Sequence, residues 1–263
     1  MKRRAAITVL AAATMALAAP VRAAPIGSVM QVDTRGTSVP VYALWRDDAL
    51  ATLVLYAGGN GGYGQIAEDG WPGSRNFLIR SAKLFAAYPF NLVLVGLAAD
   101  LHQLDGHARL SDAHQQDNQA LFKAIKAKSP APLWLVGTSM GTVSVTAAAI
   151  RDSGVGQLAG IVLSSSITSY QREGAVPSQE LGKIKVPVLV LHHAQDACGI
   201  CRPYEAQHIA AKLTAAPLSK TLIVDGGAHP SGDACGALHY HGYIGMEQQA
   251  VDLIANWIRH PVP

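Results

Sequence analysis

The glycine-rich stretch of this chain lacks the Gly-Lys-Ser/Thr ending of a phosphate-binding loop and is not read as a dinucleotide fingerprint, so no nucleotide is expected there. Its histidines and three cysteines follow no compact zinc spacing, so neither a metal nor another cofactor is expected. An excess of basic charge is also missing. Residues 1–23 hold Lys2, Arg3, Arg4 and Arg22 and no acid; removing those four from the 21 Lys/Arg leaves 17 against 18 Asp/Glu, a net charge of −1. The basic pI of the whole chain therefore gives no reason to expect a nucleic-acid partner. A run long enough to span a bilayer is absent as well, because the uncharged stretch over residues 5–19 is too short. With basic residues before it and Val21-Arg22-Ala23 after it, this stretch reads as a secretory signal peptide over residues 1–23. The mature protein is then periplasmic or secreted, with no stable membrane insertion after cleavage. Residues 24–263 show no repeat or low-complexity segment and suit one α/β domain with a real core.

What the chain does have is centred on Leu133 to Thr142, LWLVGTSMGT. A short apolar run reads as a buried strand, Gly137-Thr138-Ser139-Met140-Gly141 as a sharp turn, and the small residues after it as a helix. Strand, turn with a serine at its apex, then helix is the context of a G-x-S-x-G nucleophile elbow. Serine on a strained turn needs neighbours without Cβ atoms so that strand and helix can approach closely. The N–H of Met140, at the helix start, would face a developing oxyanion.

Around this centre the chain reads as two strands over residues 28–33 and 39–45 joined by Thr34-Arg35-Gly36, then buried strands over 51–57 and 91–97. A helix is expected over 75–87, an irregular His- and Asp-containing loop over 98–110, and a helix from the N-cap Ser111 to about Lys128. In that helix Ala113, Leu121, Ala124 and Ile125 form the expected inward stripe, with His114 and Asp117 solvated or supporting the helix. Strands over 159–163, 186–191 and 221–224, a helix over 203–214 and a final helix over 244–258 complete the pattern. Strands and helices in alternation predict a doubly wound, mostly parallel sheet of about eight strands.

Serine needs a base, and the base an orienting acid. Asp196 stands just past the strand over 186–191, and histidines follow it, giving the order Ser139, Asp196, His. From Ala51 to its C-terminus the chain resembles an α/β-hydrolase. More narrowly it is similar to small exported bacterial members that carry HH-x-x-D-x-C, here His192 to Cys198, and C-x-A-x-x-x-HG-[FY], here Cys235 to Tyr243. The resemblance implies a serine hydrolase and brings no substrate with it; the reaction expected is hydrolysis of a small-molecule ester. Ser139 would be the nucleophile, Asp196 the acid and His241 the base, with His229 in Gly226-Gly227-Ala228-His229 as the alternative base. The loop over 58–64, with five glycines in seven residues, would supply a second oxyanion N–H beside Met140, from Gly59 or Asn60. Residues 164–185, where such folds often insert a lid, are too few for a cap domain. A Cys198–Cys235 disulfide would tie the loop of the acid to the loop of the base, with Cys201 left over. Two other readings stay open: a non-catalytic binding protein on the same fold, and a thiol-disulfide protein using Cys198 and Cys201 as a C-x-x-C.

Overall fold

A computed structural model describes residues 26–152 and 154–262; the expected signal peptide lies outside these. Eight strands form one sheet: β1 (Ser28–Thr34), β2 (Thr37–Leu44), β3 (Ala51–Tyr56), β4 (Phe90–Val95), β5 (Leu133–Thr138), β6 (Leu158–Ser164), β7 (Val188–His193) and β8 (Ser219–Val224). Their order across the sheet is β1-β2-β4-β3-β5-β6-β7-β8. β1 pairs antiparallel with β2 and β2 with β4; every other pairing is parallel. A separate two-stranded ribbon joins Gln65–Ile66 to Pro72–Gly73.

The central strands are buried along their whole length because helices cover both faces, which is why they read as unbroken apolar runs. Alternate residues serve opposite faces. Leu53 and Leu55 pack on one side with Phe77 and Ile79 of α1 (Phe77–Arg80), Phe85 of α2 (Ala82–Ala86), and Ile254 and Trp257 of α7 (Glu247–Arg259). Val54 and Tyr56 pack on the other with Leu121 and Ile125 of α4 (Asp112–Lys128), Val145 of α5 (Gly141–Asp152), and Ile209 of α6 (Ala206–Ala210). Each such side chain contributes roughly 1.5–3 kcal/mol of burial.

Several expected elements differ in detail. The helix expected over 75–87 is two short helices, because Ser81 adopts φ −90°, ψ 3° and interrupts the helical backbone. The helix expected over 203–214 is a 3-10 turn followed by five residues of α6. The expected loop over 98–110 contains the short helix α3 (Gly106–Leu110), capped by Asp105. Ser111 caps α4 as expected, its Oγ accepting from His114 N at 3.2 Å. The inward face of α4 is more polar than its apolar spacing suggests. His114 and Asp117 are buried, not solvated, and they serve different partners: His114 Nε2 lies 3.0 Å from Ser144 Oγ, whereas Asp117 binds Arg35 at 2.7 and 2.9 Å. Between β6 and β7 the chain forms loop and two 3-10 turns, with no large cap domain.

The parallel register aligns the carboxyl ends of the strands. Tyr56 lies beside Gly137, Thr138 beside Ser164, and His193 beside Val224. Ser139, the Gly58 loop and Asp196 therefore emerge along one edge, where ligands of open parallel sheets bind.

Candidate active site

Ser139 has φ +52°, a left-handed conformation for a non-glycine residue, at the turn between β5 and α5. The turn is held from several sides. Ser139 N donates to Ser164 O at 3.0 Å, and the Thr142 hydroxyl donates to Ser139 O at 2.7 Å. The flanking glycines have a steric cause. A Cβ on Gly141 would sit 2.0 Å from Tyr56 O, and one on Gly137 2.7 Å from Gly141 O. Gly58 is equally constrained, since its Cβ would fall 2.8 Å from Ser139 Cβ. This is the close approach of strand, loop and helix that the sequence pattern implied.

Asp196 and His241 meet at 2.8 Å, Oδ2 to Nδ1, with both side chains buried. Asp196 Oδ1 accepts from Cys198 N at 2.9 Å, which fixes the carboxylate. The Nε2 of His241 is buried and has no hydrogen-bond partner within the described protein. His229 is exposed and lies in the left-handed region at φ +56°, with no contact to Asp196 among the described hydrogen bonds. Ser139, His241, Gly58 and Gly59 line one cleft of about 210 Å³ together with Asn76, Phe77, Cys235 and Ala237. Asn60 is exposed and does not line it; its carbonyl accepts from Leu104 N.

The structure also accounts for the two longer sequence strings. His192 Nε2 accepts from Ser166 N at 3.0 Å, and burial lowers its pKa to about 4, so it is a neutral structural group. His193 Nδ1 accepts from Gln195 N, its Nε2 meets Gly226 O, and its ring stacks on Tyr240 at 4.7 Å. In the second string, Gly242 has no room for a Cβ, which would lie 2.0 Å from Ala237 O. The Tyr243 hydroxyl donates to Leu191 O at 2.7 Å, and Ser165 Oγ donates to His241 O at 2.8 Å. These bonds hold the backbone of His241 against the ends of β6 and β7.

Cys198 is joined to Cys235, with Cα atoms 4.5 Å apart. Cys201 is a buried free thiol, which excludes the Cys198–Cys201 pair that a redox C-x-x-C would form in this state. Burial raises its pKa. The sulfurs of Cys198 and Cys201 and a ring nitrogen of His241 lie within 4.8 Å of one another. That set does not suit a metal, since the Cys198 sulfur is committed to the disulfide and burial disfavours the Cys201 thiolate.

One residue absent from the sequence reading organises the glycine loop. Arg109 of α3 is 1% exposed. Its guanidinium donates to Leu104 O at 3.0 Å, Ser144 Oγ at 2.9 Å, and Ala57 O and Gly59 O at 3.2 Å each. Burial lowers its pKa to about 10, with the charge of Asp105 offsetting only part of the effect. By holding the carbonyls on either side of Gly58, Arg109 fixes which way the peptides of this loop face. The string Gly59 to Gly64 does spell G-x-G-x-x-G, but it runs into the Gln65–Ile66 ribbon and not into a helix, so it lacks the setting of a dinucleotide site.

No protein-family profile and no curated protein matches the sequence. Solved structures do. A dienelactone hydrolase from Anabaena variabilis superposes with a TM-score of 0.62 at 12% identity, covering 92% of this chain and 100% of that one. The carboxylesterase CesB from Bacillus subtilis gives 0.61 at 14% identity, covering 90% and 93%. A serine hydrolase without a lid from Xanthomonas campestris gives 0.57 at 13% identity, covering 90% and 97%. With the strand order, the parallel register and the absence of a large cap, these likenesses establish that the chain has the α/β-hydrolase fold.

Proposed function

We propose that the protein is an exported serine hydrolase that cleaves a small carboxylic ester through an acyl-enzyme on Ser139. The observation that carries this reading is the buried Asp196–His241 hydrogen bond, whose imidazole leaves Nε2 unpartnered on the cleft that Ser139 also lines. In this mechanism Ser139 Oγ attacks the ester carbonyl while His241 Nε2 takes its proton. Asp196 holds the imidazole by Nδ1 and stabilises the imidazolium. The tetrahedral oxyanion is met by Met140 N–H and by a loop N–H; Gly59, which lines the cleft, suits this better than Asn60. Each such donor is worth about 10²–10³ in rate. His241 then returns the proton to the leaving alcohol, and water attacks the acyl-enzyme by the same route.

Ester chemistry is supported by the named esterases among structures of the same fold. A cleft of about 210 Å³ without a cap suits a small substrate. Export is supported by the disulfide and by the N-terminal sequence; among the described residues no helix is long and apolar enough to cross a membrane. The test is turnover of p-nitrophenyl acetate by the mature protein and by Ser139→Ala. Activity in the first and none in the second, with the same circular dichroism, is the expected result. Equal activity in both would refute the assignment, and no turnover of any ester by the wild type would favour a binding protein.

A further inference from the structure

The Asn76 side chain has two ends in different environments, and its hydrogen bonds tell them apart. Oδ1 accepts from Leu78 N at 3.1 Å, the capping bond of α1. The amide oxygen is thereby assigned, because the NH₂ group cannot accept from a backbone N–H. Nδ2 must then be the end that lies by the glycine loop. Among the described residues it donates to no protein group, and Asn76 lines the cleft with Ser139 and His241.

Gly58 makes this position consequential. A Cβ at Gly58 would lie 2.8 Å from Ser139 Cβ and 3.4 Å from Asn76 Nδ2. The amide and the nucleophile therefore border the same small gap, and it stays open only because residue 58 has no side chain. When Ser139 Oγ adds to a carbonyl, the new oxyanion forms within the space around Ser139 that the loop and Asn76 enclose. An N–H donor already fixed there by its other end costs no reorganisation in the transition state.

Resting on the serine-hydrolase reading of the site, we infer that Asn76 Nδ2 is a catalytic hydrogen-bond donor to the oxyanion, acting with the backbone N–H of Met140. Capping α1 does not by itself call for asparagine, since aspartate or threonine would accept from Leu78 N as well. Only asparagine adds an N–H pair on the cleft side.

Two cap-preserving substitutions separate the roles. Asn76→Asp keeps the shape and the acceptor but removes the donor; Asn76→Thr keeps an uncharged acceptor at the cap and has no side-chain N–H, its short hydroxyl being taken up by the cap. With p-nitrophenyl acetate, both variants should lose about 10²–10³ in kcat with little change in KM, the range seen when one oxyanion donor is removed. Melting temperatures should stay close to that of the wild type. Binding of benzeneboronic acid, which forms a tetrahedral adduct on a nucleophilic serine, should weaken in both. Wild-type kcat in either variant would overturn the inference; loss in Asn76→Asp alone would reduce it to an effect of the added charge. Wild-type turnover that survives Ser139→Ala would instead strike the reading on which the inference rests.

Discussion

Cys198 and Cys235 close a loop over a sequence separation of 37 residues, and removing that cross-link should cost a substantial part of the stability. For a loop of this length the chain-entropy relation gives about 4 kcal/mol at room temperature. That is a large share of the roughly 5–15 kcal/mol by which a domain is stable. The perturbation should be the double variant Cys198→Ala/Cys235→Ala, because a single replacement at Cys235 leaves Cys198 free to pair with Cys201, whose sulfur lies within 4.8 Å. Urea unfolding is the assay. With an m-value of about 2.5 kcal/mol/M, the midpoint should fall by roughly 1.5 M. Turnover under native conditions should persist, because Ser165 Oγ and the Tyr243 hydroxyl still hold the His241 segment against the ends of β6 and β7. A midpoint unchanged within error would refute the reasoning, and so would peptide mapping of the oxidised wild type that found Cys198 joined to Cys201.

Arg109→Met should cost at least about 3 kcal/mol in the same assay, since it strands four acceptors at Ala57, Gly59, Leu104 and Ser144. Arg109→Lys should recover only part of this, as one ammonium cannot span them; full recovery would show that charge alone matters. Stability should also fall below neutral pH. His114 and His192 are buried with pKa values lowered to about 4, so between that value and about 6.5 the unfolded chain binds two protons that the folded one does not. Stability therefore rises with pH across this window, by about 1.4 kcal/mol per pH unit for each histidine, and is lost as pH falls through it. Denaturant midpoints measured from pH 7 to 5 test this, and His114→Gln should halve the slope; an unchanged slope would place the proton uptake elsewhere.

The parts of this protein that were legible in its sequence are those written in local pattern. The strands of the sheet centre are buried on both faces and read as apolar runs such as LWLVGT, although their ends moved by one or two residues. The elbow was legible because Gly137 and Gly141 stand in a short G-x-S-x-G string between strand and helix, although the contact that excludes a Cβ at Gly141 comes from the sequence-distant Tyr56 O. The Cys198–Cys235 bond was legible as the pairing that ties the loop of Asp196 to the loop of His241, and the structure forms it. Arg109 was not legible. A charged residue in a loop with histidines and aspartates reads as solvated, and the acceptors that permit its burial come from residues 57, 59, 104 and 144. That His114 and Asp117 are buried was hidden for the same reason: their partners Ser144 and Arg35 are brought to α4 only by the fold. Asn76 carried one available signal, an asparagine ahead of an apolar run, but that signal speaks of a helix cap and not of a cleft.

The central claim is that Ser139 is a nucleophile activated by His241 under the orientation of Asp196. Mass spectrometry of the mature protein after fluorophosphonate treatment tests it most directly, with Ser139→Ala, His229→Ala and His241→Ala alongside. The account predicts a single phosphonyl adduct on the Ser139 peptide, retained in His229→Ala and lost in both Ser139→Ala and His241→Ala. An unlabelled wild type, or labelling that survives the loss of His241 but not of His229, would contradict it.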